Sequence, residues 1–351
     1  MNEFNRALLR IHDLDFEYGH GLTNHAPMAV EALHVLGHDA LIDAFLDAYL
    51  PRLRLIGEGS LIPLKEQASA LGCRSPEDWL ETLCAESEHT NWKDLLRRHL
   101  PRLMPGAFAA AMHGPIRLAH AVRALEEEES SERQRELTSG LAYWAACFHA
   151  LPGRVGCEPE AGRGPARVLE ELEAIPRKQG HTGLISEAAR RVEGHPGFLS
   201  AMTRADLESE LPANFLSDLA GEAAGLYLRN PDNRIAYLHG VTGVSALRLL
   251  VPYLEEGFIK ESLGVALECV ATLHAVYGDS TPSVAPGPEL LRLAESWDEM
   301  RYRAACSLEE HVIKLTEACW REDRIRRDDR FRMAAADVIL ALGPSSRTAR
   351  G

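Results

Sequence analysis

Apolar residues recur at steps of three and four along nearly the whole chain, while alternating strand patterns are almost absent. Residues 26–36 read APMAVEALHVL, and 41–50 repeat the pattern until Pro51 stops or kinks it. Ser75-Pro76-Glu77-Asp78 reads as a cap followed by proline in a first helical turn. The same spacing predicts helices over 76–84, 90–100, 113–127, 132–150, 165–174, 183–192 and 204–228. Further helices are expected over 234–254, 259–277, 288–302, 307–324 and 329–342. Alanine and leucine dominate, valine and isoleucine are sparse, and no repeat of fixed period points to a solenoid. The expectation is an all-α fold: one compact multi-helix domain over 1–343, with a cavity between helices and a disordered tail at 344–351.

Charge narrows the function classes. Thirty-eight Lys+Arg against fifty-two Asp+Glu give 38 − 52 = −14, which argues against a nucleic-acid surface, where each phosphate contact needs a basic group. No run approaches the roughly 18 uninterrupted apolar residues of a membrane helix. Residues 1–6 lack the apolar centre of a signal peptide, so a cytoplasmic protein without membrane contact is expected. The seven cysteines form neither a CxxC pair nor a disulfide framework. The acidic run Glu126-Glu127-Glu128-Glu129 reads as a solvated helix end. Residues 152–166, with four glycines and three prolines, read as a linker or as a flap over a cavity, and 280–288 form a second loop-rich stretch.

Fifteen histidines remain to be explained. His12, His20, His34, His38, His89, His99, His149, His181 and His195 sit mostly in polar or helix-terminal settings and read as caps, surface groups or satisfied core residues. His274 reads as a core or helix-end residue and is a reserve candidate. Four settings differ. Asn24-His25-Ala26-Pro27-Met28 sets a histidine at a helix start, with proline shaping the first turn. His113 and His120 flank an apolar stretch seven residues apart, about 700° of rotation and about 10.5 Å of rise, so they share a face but lie far apart for one ion. One of the two is expected to bind a metal while the other supports it or faces substrate. His239-Gly240-Val241-Thr242-Gly243 sets a histidine beside two glycines that permit close packing. His311 and Lys314 are neighbours on one helix face.

Neutral imidazole is a common ligand of Zn- and Fe-type ions. A lysine desolvated among histidines has its neutral amine favoured, and such an amine can take up carbon dioxide as a carbamate that ligates a metal like a carboxylate. Lys314 is a candidate for that role, or for a base. The signatures GxGxxG after a strand, GxxxxGK[ST], HExxH and GxSxG are absent. Of three ExxH matches, only Glu31-Ala32-Leu33-His34 lies on a convincing helix, and it has no partner for a di-iron site.

NHAPM at 24–28, HGPIRLAHAVRAL at 113–125, LAYWAA at 141–146, HGVTG at 239–243 and HVIKLTEAC at 311–319 together resemble the questin oxidase-like proteins of fungal aromatic polyketide pathways and of bacteria. The resemblance spans residues 24 to 319, with Ala26 where the family pattern has glycine. It implies an oxygenase: oxygen-dependent oxidation of anthraquinone-like polycyclic substrates, with Baeyer–Villiger-type or ring-cleaving outcomes and mononuclear non-haem iron chemistry. Carried over, the metal ligands are His25, His113, His239 and His311 with Lys314, free or as a carbamate, and His120 competes for the place of His113. Fe(II), or another divalent ion, is the implied cofactor, and dioxygen and a small polycyclic aromatic are the implied partners. Lys314, His120 and Arg117 are candidate catalytic residues, Arg117 as a partner for a phenolate. Tyr237, Trp144 and Phe148 are candidates to line the cavity. Two competing readings are an NADPH-dependent, metal-free monooxygenase and a non-catalytic helical ligand-binding protein.

Overall fold

The computed structural model describes residues 2–172, 175, 183–278 and 285–343, and the chain over those residues is all-α. Eighteen α-helices, with short 3-10 turns between some of them, accompany a single antiparallel hairpin, Glu17–Tyr18 with Leu22–Thr23. His181, the 280–288 stretch up to residue 284 and the tail from 344 lie outside the described residues.

Four helices form a closed ring, each packed against the next. They are Ala26–Val35, His113–Glu127, Arg234–Leu250 and Glu310–Ile325, the last returning to the first. Their strong apolar content follows from this placement. Residues 26–33 are all buried, and in Arg234–Leu250 every residue from Ala236 to Leu247 is buried. The segment Pro231–Tyr253 is long and apolar enough to cross a bilayer, but 72% of its window is buried inside the protein. It is a core helix of the ring.

Close approach between helices depends on two glycines. A Cβ at Gly114 would fall 2.9 Å from Cγ of Trp144, and one at Gly140 would fall 3.0 Å from Cα of Leu118. They let His113–Glu127 and Ser131–Ala146 cross nearly backbone to backbone. Gly243 serves another purpose, because the space its missing Cβ leaves is filled by the Met112 thioether.

Several expected boundaries move for identifiable reasons. The helix expected over 204–228 begins at Pro212, since the Asp206 carboxylate accepts backbone N–H groups of Gly162, Glu208 and Ser209 and holds the preceding stretch as a turn. The stretch 288–302 is two helices, because Ser296 caps a new one through the Glu299 amide. Helices at Glu3–Ile11 and Pro196–Thr203 were not expected. The glycine-rich 152–166 stretch lies along Pro196–Thr203, with backbone bonds from Gly156, Cys157's neighbour Glu158, and Glu160, and it does not line the cavity described below. All seven cysteines are free thiols.

A candidate metal centre of four histidines

Each helix of the ring contributes one histidine. His25 is the residue preceding Ala26–Val35, His113 opens its helix, His311 is the second residue of its helix, and His239 lies in the second turn of Arg234–Leu250. Three helix N-termini therefore converge, and the positive ends of their dipoles disfavour an imidazolium there. His25 Nε2 stands 2.7 Å from His113 Nε2, and His239 Nε2 stands 3.2 Å from the same atom. His311 completes the group, with its ring centroid 4.7 Å from that of His25 and 6.1 Å from that of His239.

Local chemistry decides which nitrogen carries each proton. His113 Nδ1 lies 2.6 Å from the Ala110 carbonyl, and His239 Nδ1 lies 2.5 Å from the Ile235 carbonyl. A carbonyl only accepts, so both Nδ1 atoms carry hydrogen. A neutral ring then has only a lone pair at Nε2. Burial, reinforced by the neighbouring rings and Lys314, pushes His113 well below the ordinary imidazole value, and His239 is pushed down to about 3. The two Nε2 atoms therefore face each other lone pair to lone pair and cannot hydrogen-bond. A cation between them resolves the conflict: two nitrogens held about 2.0–2.1 Å from one ion at right angles stand about 3 Å apart. His113 and His239 fit two ligands of one ion, while among the described residues the group of three whose ligand atoms all lie within 4.8 Å of one another is Glu309, Glu310 and His311.

The Ala110 carbonyl reaches His113 because Ala110, Ala111 and Met112 all have left-handed φ, of 46°, 57° and 70°. Left-handed backbone at non-glycine residues is strained and persists only where surroundings impose it. Here the strained turn delivers a carbonyl to a ring nitrogen. On the far side, His311 Nδ1 lies 3.3 Å from the Glu309 carboxylate, whose other oxygen accepts the His311 amide at 3.1 Å. Nδ1 of His25 is buried without a hydrogen-bond partner, 3.8 Å from Glu310 Oε1. Glu309, Glu310 and His311 thus bring their ligand atoms within 4.8 Å of one another, behind the cluster. The backbone of His25 is itself fixed: its N–H donates to Tyr49 Oη at 2.8 Å, and Asn24 Oδ1 accepts from Ala26.

Lys314 is 2% exposed, and its charge depresses the proton affinity of His25, His113 and His239. Among the described residues its ammonium has no hydrogen bond or ion pair, and burial lowers its pKa to about 8 against the weaker opposing pull of Glu310 and Glu309.

The cluster opens into a cavity of about 750 Å³, with His25, His113, His239 and His311 in its wall. Of the three aromatic candidates for its wall, Phe148 lines it, while Tyr237 and Trp144 are core residues, the more ordinary reading of all three, tied to His274 and to the Gly106 carbonyl. His149, read from its setting as an ordinary histidine, also faces the cavity.

The structure separates two other candidates from this site. His120 does not join the cluster: its Nδ1 lies 2.5 Å from Glu31, inside a buried network with Arg123 and Glu317. Two turns along the helix from His113, it meets a different neighbour, so of the two it is His113 that lies beside His25 and His239. Arg117 pairs through two nitrogens with Glu136, at 2.6 and 3.0 Å, and lies over the Phe16 ring, outside the cavity wall. That pair takes Nε and Nη2, while Nη1 is buried without a hydrogen-bond partner among the described residues. The Glu31–His34 pair is divided too, since His34 turns to Asp39 and Glu127.

Glu17, Glu309, Glu310 and the Ala110 carbonyl were not singled out in the sequence. Glu310 precedes His311 directly, and that adjacency was the one available signal; the Ala110 role depends on backbone torsions, which no residue type there announces.

Protein-family models give no match to this chain, and none of the curated proteins matches it.

Proposed function

We propose that the chain is an oxygen-dependent oxidoreductase, a mononuclear non-haem iron oxygenase acting in the cytoplasm on a polycyclic aromatic substrate of anthraquinone type. The observation that carries this reading is the pair His113 and His239, both buried, with both Nδ1 protons committed to carbonyls and their Nε2 atoms 3.2 Å apart. The resemblance to questin oxidase-like proteins supports it, because four of the five matching blocks hold the four histidines and Lys314.

His25, His113, His239 and His311 are the residues that would hold the ion, through their inward nitrogens. Fe(II) bound there supplies a redox centre for dioxygen and a Lewis acid for a substrate oxygen. The remaining work falls to the chain. The carbonyls of Ala110 and Ile235 hold two rings in the ligating tautomer, and Glu309 orients His311, as outer partners do in metal sites. Lys314, whose pKa burial lowers to about 8, would react through its neutral amine with carbon dioxide, an N–C bond forming and a proton leaving to water, and the carbamate would offer a further anionic ligand. The cavity, at about 750 Å³, is large enough to enclose a tricyclic aromatic and shield it from water. Oxygen insertion beside a ring carbonyl, or C–C ring cleavage, is the expected outcome.

Elemental analysis of protein purified without oxygen tests this. About one iron per chain is expected, lost in His25→Ala, His239→Ala and His311→Ala but kept in His120→Ala. Folded wild-type protein that takes up no Fe(II) on reconstitution overturns the reading. A mass increment of one carbon dioxide at Lys314 tests the carbamate.

A further inference from the structure

Glu17 takes no part in the histidine cluster, yet its side chain lines the same cavity. It sits in the hairpin, where Glu17 pairs with Thr23, two residues before His25. Thr23 Oγ1 and Tyr143 Oη are 2.7 Å apart, and Tyr143 Oη is 3.1 Å from Glu17 Oε1. A carboxylate only accepts, so Tyr143 donates to Glu17 and receives the Thr23 hydroxyl proton. Burial, with Cys147 and Glu17 alongside, raises the Tyr143 hydroxyl well above its ordinary value, so it remains a donor. Cys147 Sγ lies 3.9 Å from the same carboxylate oxygen. One oxygen of Glu17 is thus anchored.

The other oxygen is not. Among the described residues Glu17 Oε2 has no hydrogen-bond partner, and no lysine or arginine pairs with this carboxylate. Leu22, Phe148 and Leu184 stand in the same cavity wall. Arg190 also lines the cavity, but among the described residues no ion pair joins it to Glu17, and a carboxylate without a paired cation is costly to dehydrate unless the occupant brings a proton donor. A flat aromatic that expels the cavity water must supply that donor from its own edge.

We propose that Glu17 is a specificity-determining residue: it accepts a hydrogen bond from a free aryl hydroxyl of the substrate, so that the site selects hydroxylated arenes over their O-methyl ethers. This rests on the aromatic-substrate reading above and extends it to one atom of the ligand. An ether oxygen facing Glu17 Oε2 sets two acceptors against each other, whereas a hydroxyl completes the bond that Tyr143 leaves open.

Equilibrium binding to metal-free full-length protein, followed by tryptophan quenching, tests the proposal without turnover. The probes are β-hydroxyanthraquinone and its methyl ether. Hydrogen bonds to a charged partner contribute about 1.5–3 kcal/mol, so wild type is expected to favour the hydroxyl compound by about tenfold or more. Glu17→Gln, a neutral acceptor, lowers that preference, and Glu17→Leu abolishes it while binding the ether at least as well as wild type. That gain with the ether would not come from a misfolded variant. Equal wild-type affinity for the two probes, or a preference kept in Glu17→Leu, overturns the role of Glu17. Failure of wild type to bind either probe, in protein whose cluster takes up Fe(II), instead refutes the aromatic-substrate reading and removes this inference with it.

Discussion

Lys314 shows how burial sets the charge of a single residue. Its pKa falls from 10.5 to about 8 because desolvation outweighs the pull of Glu310 and Glu309. Below about 8 the amine is protonated both folded and unfolded, and the folded state bears the whole cost of the buried charge. Between about 8 and 10.5 the unfolded chain binds more protons than the folded one, so stability rises with pH. Metal-free Lys314→Met in carbonate-free buffer is therefore expected to exceed wild type in stability by roughly 3 kcal/mol at neutral pH. The difference should close as pH climbs through that window, as urea midpoints measured across it would show. The lysine and the four ring residues were legible as unusual in the sequence. Whether His113 or His120 joined them was not, because a seven-residue spacing gives both the same helix face. Only the neighbour each ring meets separates them: two imidazoles in one case, Glu31 in the other.

At the scale of elements, the crossing of His113–Glu127 with Ser131–Ala146 sets the position of His113. An alanine methyl at Gly114 would press on Cγ, Cα and Cβ of Trp144 at 2.9–3.0 Å, and two of those atoms cannot swing away without moving the partner backbone or its first side-chain carbon. Gly114→Ala should cost about 1–3 kcal/mol in a urea titration, the range for overpacking a dense core. It should also weaken metal retention, since the displaced residue adjoins a ligand. Most helices of the ring follow the apolar spacing closely: 113–127 was read as it stands, and Arg234–Leu250 begins where expected. Two of the boundaries that moved are set by side-chain capping from outside the periodic pattern, at Asp206 and Ser296. A periodic apolar face records what a helix packs against and is silent on which polar group ends it.

Across the whole molecule, the ring is tied by charge as well as by packing. Arg123, on the His113 helix, reaches Glu31 on Ala26–Val35 and Glu317 on Glu310–Ile325, so one guanidinium links three helices of the ring. Both carboxylates are almost wholly buried and are held below the ordinary carboxylate range by Arg123, against the opposing cost of burial. Arg123→Met would leave them without that partner, and removing one member of a buried ion pair typically costs about 3–5 kcal/mol. Thermal or urea unfolding should register that loss, together with release of metal. His239→Ala should release metal with a much smaller loss of stability in the metal-free state. That contrast distinguishes residues that hold an ion from residues that hold the ring together.

The amino-acid pattern by itself determined the all-α class and most of the helices, because the period of apolar residues is a local property that survives without knowledge of partners. It also marked four histidines and a lysine as out of place in apolar surroundings. Only the tertiary structure decided that the histidines, up to 286 positions apart in the chain from His25 to His311, lie side by side in one cavity wall. The proton positions on two of the rings, the separate duties of His120 and Arg117, and the presence of Glu17 in the cavity wall were likewise settled in three dimensions. Each depends on distances between segments and on backbone torsions, neither of which a one-dimensional pattern carries.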